Sequence, residues 1–100
     1  MFKIHGVNMF PAQVEEMLGK VDGATSEYRV TLAHEDEENR DVFLLTVEGE
    51  GRVKFEDMAK EIQNVFKTYI GATPRVTVVP IGTLPRSEKK TKRVTDYRTQ

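Results

Sequence analysis

The chain has 100 residues, a formal net charge of −1, 38% hydrophobic and 31% charged residues, and no cysteine. This size suits one globular domain with a modest core, and no apolar run approaches the ~18 residues that a membrane span needs. Without cysteine, disulfides and thiolate metal sites are excluded. The N-terminus lacks the apolar stretch of a signal peptide, so the default prediction is a cytoplasmic protein with no membrane partner.

The first half of the chain predicts a strand, a helix and a hairpin. Pro11 suits the first turn of a helix, and apolar residues recur from Val14 at helical spacing. Beyond the helix, residues alternate between apolar and polar as they do in half-buried strands. The predicted elements are a strand at Lys3–Val7, a bend at Gly6 and Asn8, a helix from Pro11 that ends at Asp22-Gly23, strands at Tyr28–His34 and Val42–Val47, and an acidic hairpin tip at Glu35–Asn39.

The second half predicts a longer helix, a strand and a basic tail. Apolar residues at helical spacing run from Phe55 to Ile70, and Gly71 suits the C-terminal cap. Val76–Val79 predicts a last strand that stops at Pro80. The order strand, helix, strand, strand, helix, strand predicts an α+β two-layer sandwich of ferredoxin-like (βαββαβ) order, with two helices on one face of a mostly antiparallel sheet and a basic C-terminal loop.

The basic segment Gly82–Arg93 is the main functional candidate. From Thr83 to Gln100 there are six basic and two acidic residues, so positive charge is concentrated in a chain that is nearly neutral overall. Such a segment indicates an anionic ligand. A nucleic-acid partner is not predicted, because Tyr97 is the one aromatic residue of this tail that could stack on a base.

Metal binding and nucleophilic catalysis have little support in the sequence. His5 and His34 fall on different predicted strands and are expected near different ends of the fold, without metal-ligand spacing around them. The acidic tract Glu35–Asn39 lacks the spacing and internal glycine of a calcium loop. Neither Ser26 nor Ser87 has a histidine beside it in a known motif. No metal site is predicted.

Two segments of the chain carry a resemblance to a known family. Phe2–Glu16 contains Gly-Val-Asn-x-Phe-Pro-x-Gln-φ-Glu-Glu, where φ is aliphatic, and Gly82–Val94 contains Leu-Pro-Arg-Ser-Glu-x-Lys-x-Lys-Arg. The first resembles the segment just after the hinge of adenylate-forming enzymes, and the second resembles their C-terminal lysine motif. Within that family, the acyl-coenzyme A synthetase superfamily, both are most similar to the phenylacetate–coenzyme A ligase group, over essentially all 100 residues.

The resemblance implies that residues 1–100 are the small C-terminal (lid) domain of a ligase that joins an aryl acid to coenzyme A. A large N-terminal domain, absent from this chain, would be its partner and would hold the aryl acid, ATP and most of the contacts to Mg²⁺. ATP and coenzyme A would be co-substrates. Whether the full-length enzyme forms a homodimer is left open by the sequence. On this interpretation the 100-residue chain alone is inactive.

The resemblance also assigns site residues. Lys90 matches the lysine that acts in adenylation, and Arg86, Ser87, Lys89 and Arg93 belong to the same loop. Relatives usually have glycine where Lys89 stands, and a loop that needs a positive φ there would be strained by ~1 kcal/mol or more. A lysine suits the role because it is cationic at neutral pH, whereas adenylation builds negative charge on the α-phosphate.

A second surface would serve the second half-reaction. By the same resemblance, the domain rotates after adenylation and presents Gly6, Val7 and Asn8 to the pantetheine thiol of coenzyme A. Two alternatives remain open from the sequence: the domain of a related synthetase with another acceptor, and a free-standing α+β interaction or regulatory module.

Overall fold

The computed structural model describes residues 2–34, 41–84 and 93–98. The chain begins with a hairpin of two short antiparallel strands, β1 (Phe2–Ile4) and β2 (Val7–Met9). Ile4 pairs with Val7, so His5 and Gly6 alone form the turn, with φ of 49° and 80°. Positive φ at both central residues is typical of a type I′ hairpin turn. The single strand predicted at Lys3–Val7 is therefore wrong, since the chain reverses in the middle of it.

Helix α1 spans Pro11–Leu18. The Gln13 side chain accepts a hydrogen bond from the backbone N–H of Phe10 at 2.7 Å, which caps the N-terminus of the helix. The helix begins at Pro11 as predicted but ends four residues before the predicted end at Asp22, because a tighter turn starts at Gly19. Val21 lies beyond the helix and is nevertheless buried.

The main sheet has four strands in the order β5-β4-β3-β6: β3 (Ala24–His34), β4 (Asp41–Gly49), β5 (Arg75–Pro80) and β6 (Val94–Asp96). Strands β3 and β4 form the antiparallel hairpin that the sequence predicts, and its predicted acidic tip, Glu35–Asn39, lies outside the described residues. Helix α2 (Phe55–Tyr69) connects β4 to β5.

The core lies between this sheet and the two helices. One face of β3 and β4 supplies the pairs Tyr28–Val47, Val30–Leu45 and Leu32–Phe43, and all six side chains are buried. They belong to one cluster with the apolar side chains of both helices and of the β1–β2 hairpin. The helical members are Val14, Met17 and Leu18 of α1 and Met58, Ile62 and Phe66 of α2.

The α+β class with two helices is confirmed, but the sheet is mixed rather than mostly antiparallel. β5 is parallel to β4 and β6 is parallel to β3. Helix α2 returns the chain to the end of the sheet where β4 begins. The next strand, β5, lies beside β4 and therefore runs parallel to it. Part of the predicted basic tail is strand β6. Within the described ranges, neither helix is long and apolar enough to cross a membrane.

Candidate functional site at the two ends of the β3–β4 hairpin

The basic segment Gly82–Arg93, called the lysine segment from here on, is described at its two ends. Arg86, Ser87, Lys89 and Lys90 lie outside the described residues, whereas Gly82–Leu84 before them and Arg93 after them are described. These flanking residues border the part of the segment that is not described.

A turn after β5 leads into the segment. The backbone N–H and the hydroxyl of Thr83 both donate to the carbonyl oxygen of Pro80, at 3.2 and 2.6 Å. Gly82 has φ of 94°, a conformation that favours glycine. The carboxylate of Glu48 accepts hydrogen bonds from the backbone N–H groups of Gly82 (3.0 Å) and Leu84 (2.8 Å), one on each oxygen. The end of β4 therefore holds the start of the segment.

Arg93 holds the other end. Its guanidinium donates to the carbonyl oxygen of Ser26 at 3.0 Å and lies 5.2 Å from the ring centre of Tyr28. It also forms ion pairs with Glu15 on α1 (3.8 Å) and Glu27 on β3 (3.6 Å), and its side chain is only 14% exposed. The structure thus places Arg93, predicted as an auxiliary loop residue, against its own domain.

The turn predicted to face coenzyme A is the tip of the β1–β2 hairpin. Gly6 and Asn8 are exposed and Val7 is half-buried. A Cβ atom added to Gly6 would meet nothing within 4 Å, so the backbone is open to a ligand on this side. Gly6 lies in the turn itself, whereas Val7 and Asn8 are the first two residues of β2.

The hairpin tip and the described ends of the lysine segment lie at opposite ends of β3 and β4. The Nε2 atom of His5 is 3.1 Å from the carbonyl oxygen of Asp41, the first residue of β4. Glu48, which holds the lysine segment, lies at the other end of the same strand. The two positions are seven residue steps apart along the strand, or about 23 Å at ~3.3 Å per residue. The two candidate surfaces are therefore distinct.

Asp41 brings both histidines to one end of the fold, contrary to the sequence prediction. Its carboxylate lies 3.5 Å from Nε2 of His34 and 3.0 Å from the guanidinium of Arg98, while His5 contacts its carbonyl oxygen. Hairpin pairing places His34 opposite Asp41, and the β1–β2 turn then adds His5. This convergence depends on the tertiary fold, which strand spacing alone does not indicate.

Arg98 controls the acidity of this cluster. Burial raises the pKa of Asp41, but the hydrogen bond and charge of Arg98 outweigh it and hold that pKa below its usual range. The hydrogen bond from Arg98 also lowers the pKa of Asp96. Both carboxylates are therefore ionised at neutral pH.

The described residues do not supply a metal centre. Among them, no group of three or more histidine, aspartate or glutamate side chains is arranged to hold a metal ion. The described part of this chain therefore contains no ligand set for Mg²⁺.

Sequence reasoning missed Glu48 and strand β6. Alternation along β4 predicts an exposed side chain at position 48, and no motif marks a residue that holds a loop 34 positions away. For β6, the alternation of Val94, Thr95 and Asp96 is too short to distinguish a strand from a tail.

The chain matches a known protein family over most of its length. Residues 6–98 match the model of a family described as AMP-binding enzyme C-terminal domain. The chain is 33% identical to the phenylacetate-coenzyme A ligase of Pseudomonas putida over 98% of its own length. It spans 23% of the length of that relative.

Solved structures show the same fold. A domain of phenylacetate-coenzyme A ligase from Bacteroides vulgatus is similar with a TM-score of 0.78 and 33% identity, over 97% of this chain and 92% of that one. The chain is also similar to 2-hydroxyisobutyryl-CoA ligase in complex with 2-HIB-AMP and CoA in the thioesterification state, with a TM-score of 0.83 and 27% identity. That match covers 96% of this chain and 21% of that one. The same ligase in a postadenylation state is similar with a TM-score of 0.78 and 26% identity, over 96% and 21% of the two chains.

Proposed function

The chain belongs to the family of AMP-binding enzyme C-terminal domains, and from this premise we propose that it is the mobile small domain of an AMP-forming aryl acid–coenzyme A ligase, with phenylacetate or a similar acid as substrate. The support for the substrate class is the identity of 33% to phenylacetate-coenzyme A ligase over nearly the whole chain. A larger domain would complete the enzyme, because the chain corresponds to 23% of that relative.

In the first half-reaction, a carboxylate oxygen of the acid attacks the α-phosphorus of ATP. The acyl adenylate forms and pyrophosphate leaves. Negative charge grows on the α-phosphate and on the bridging oxygen, and a fixed cation at that point lowers the barrier. We assign this role to the ammonium group of Lys90, which carries its charge on a long side chain and is protonated at neutral pH.

In the second half-reaction, the thiol of coenzyme A attacks the acyl carbonyl carbon. The thioester forms and AMP leaves. The exposed turn at Gly6 would face the pantetheine chain, because its backbone is open and no side chain at that position blocks an approaching ligand. Asn8 lies beside the turn with its side chain exposed.

One observation supports the two-step proposal: the β1–β2 turn and the turn at residues 82–84, where the lysine segment begins, lie at opposite ends of β4 and are joined through a single core. A rigid body with two such ends can offer one to each half-reaction only if it rotates between them. The resolved thioesterification and postadenylation states of 2-hydroxyisobutyryl-CoA ligase support a domain that serves two steps.

The test is a bulky substitution at the turn, Gly6→Trp, in the intact enzyme. We expect transfer of a supplied acyl adenylate to coenzyme A to fall by at least ~10-fold, while ATP–pyrophosphate exchange with the acid is largely retained. Gly71→Trp is the matched control, because Gly71 also has a positive φ (89°, against 80° at Gly6) and open space around its Cα. Equal effects of the two variants on transfer would contradict the proposal.

The isolated chain provides a second test. The 100 residues alone should show no ATP–pyrophosphate exchange with phenylacetate, because Lys90 without a nucleotide pocket cannot bind ATP. Exchange above the buffer rate would contradict the assignment of the chain as one part of a larger enzyme.

A further inference from the structure

Glu48 is the one charged side chain that is fully buried among the described residues. It lies one residue before the end of β4. Phe43, Leu45 and Val47 of the same strand belong to the core cluster. By alternation, Glu48 belongs to the opposite face of the sheet, where the turn after β5 covers it. A carboxylate is costly to bury unless hydrogen bonds replace its water. Its burial therefore requires an explanation.

The hydrogen bonds to the turn provide that explanation. Oε1 accepts from the N–H of Gly82 and Oε2 from the N–H of Leu84, at 3.0 and 2.8 Å. Hydrogen bonds to a charged acceptor are stronger than those between neutral groups, and two of them fix orientation as well as position. Thr83, between the two donors, is bound back to Pro80. The backbone at residues 82–84 thus has a defined course.

The position of this turn in the chain makes it functionally relevant. Leu84 lies six residues before Lys90, and Arg93 lies three residues after it. At ~3.3–3.6 Å per residue, six residues of chain span at most about 22 Å and three residues at most about 11 Å. Both positions are attached to the folded domain: Leu84 through its hydrogen bond to Glu48, and Arg93 through its own side chain, which contacts Ser26.

We propose that Glu48 is a positioning residue for adenylation: its carboxylate fixes the backbone at Gly82 and Leu84 and so sets the point from which the chain leads to Lys90. This inference rests on the proposed role of Lys90. Glu48 does not touch the substrate on this interpretation. It acts through the chain that carries the lysine, and misplacement of a catalytic group by about 1 Å can cost ~10²-fold in rate.

The test replaces Glu48 by Gln, which keeps the size of the side chain but presents one acceptor oxygen and one NH₂ group to two N–H donors. In the intact enzyme, Glu48→Gln should lower adenylate formation by ~10- to 100-fold and spare transfer from a supplied acyl adenylate to coenzyme A. Val47→Ala is the control, because Val47 is the neighbouring buried residue and belongs to the core cluster on the other face of the sheet. It should affect both half-reactions equally.

Hydrogen exchange provides a readout that does not depend on catalysis. In the 100-residue chain, the amides of Gly82 and Leu84 should exchange at least ~10-fold faster in Glu48→Gln, without a matching change in the core amides. The Bacteroides vulgatus structure, in which the match covers 92% of the solved chain, supports measurement on the domain by itself. Unchanged exchange at both amides would overturn the proposal.

A second variant tests the turn from the donor side, in case Glu48→Gln does not fold. Gly82→Ala strains an exposed turn whose φ is 94° without a clash, and Gly71→Ala creates similar strain at φ of 89° far from the turn in sequence. Adenylation should fall in Gly82→Ala and not in Gly71→Ala; equal rates would overturn the proposal.

Lys90→Ala, measured in parallel, separates this inference from the proposed function. Full adenylation by Lys90→Ala refutes the role of the lysine and the positioning role with it. Loss of adenylation in Lys90→Ala together with a rate within twofold of wild type in Glu48→Gln refutes the positioning role alone.

Discussion

Met58 of helix α2 lies close to the backbone of Gly49 in β4, and replacement of Gly49 by alanine is a sharp test of this packing. A Cβ atom at this position would lie 2.7 Å from Sδ of Met58 and 2.7 Å from Cγ1 of Val78. Ordinary contacts between carbon atoms are ~3.5–4.0 Å, so about 1 Å is missing on each contact. Met58 is buried and Val78 is β-branched and stiff, so their side chains, or the elements that carry them, must shift.

Overpacking of this kind costs ~1–3 kcal/mol. In a domain of this size, each kcal/mol lowers the melting temperature by ~4–8 °C. We therefore expect Gly49→Ala to melt about 10 °C below wild type in calorimetry or in thermal circular dichroism.

The matched control is Gly51→Ala, two residues further along the chain. Gly51 is exposed, and a Cβ atom there would meet nothing within 4 Å. This substitution should leave stability unchanged or raise it by up to ~1 kcal/mol, because alanine reduces the freedom of the unfolded chain. Equal melting temperatures for the two variants would refute the close approach of α2 to the sheet.

Three further predictions concern stability. Burial raises the pKa of Tyr28. The neutral phenol therefore contributes fully to stability below pH ~10, and this contribution is lost as pH rises through the raised pKa. Tyr28→Phe should remove this loss of stability at alkaline pH, measured by denaturant titration. Arg98→Gln should raise the lowered pKa values of Asp41 and Asp96. The stability that these ionised carboxylates contribute is present above pH ~4 and is lost as pH falls, so the variant should lose about 1 kcal/mol or less at pH 7, as expected for surface pairs, and should unfold at a higher pH in an acid titration. Phe66→Ala, at a fully buried position 5.9 Å from the ring of Phe43, should cost ~3–5 kcal/mol in urea unfolding, and a loss below 1 kcal/mol would contradict the core assignment.

Strong local periodicity made parts of the fold predictable. Helix α2 begins at Phe55 as its apolar spacing predicts and ends one residue before the predicted Ile70. Strands β3 and β4 contain the predicted segments and extend beyond them, because pairing continues where alternation has stopped. The spacing of apolar residues within each of these elements indicates its type, so the local sequence was sufficient to predict it.

Features that depend on distant partners were not predictable. The β1–β2 turn places His5 at positive φ, where a non-glycine residue is uncommon, although the apolar alternation of Phe2 and Ile4, then of Val7 and Met9, could have indicated two strands. The parallel pairing of β6 with β3 joins segments far apart in the chain. Nothing local indicates that Glu48 holds residues 82–84.

The candidate site also has parts that the local sequence predicts and parts that it does not. The exposed turn at Gly6 and the basic segment were both identified from the sequence, the first through a glycine bend and the second through its charge. The role of Lys90 came from resemblance to a family, because composition alone indicates only an anionic ligand. That role stays a prediction, since Lys90 lies outside the described residues.

Single-turnover kinetics of Lys90→Ala in the intact enzyme test the central claim most directly. With acid and ATP saturating, formation of the acyl adenylate should fall by ~10²–10³, while transfer of a supplied acyl adenylate to coenzyme A stays near the wild-type rate. Lys89→Ala is the control from the neighbouring position and should retain adenylation. Loss of adenylation in Lys89→Ala with full activity in Lys90→Ala would contradict the account and move the catalytic assignment to Lys89.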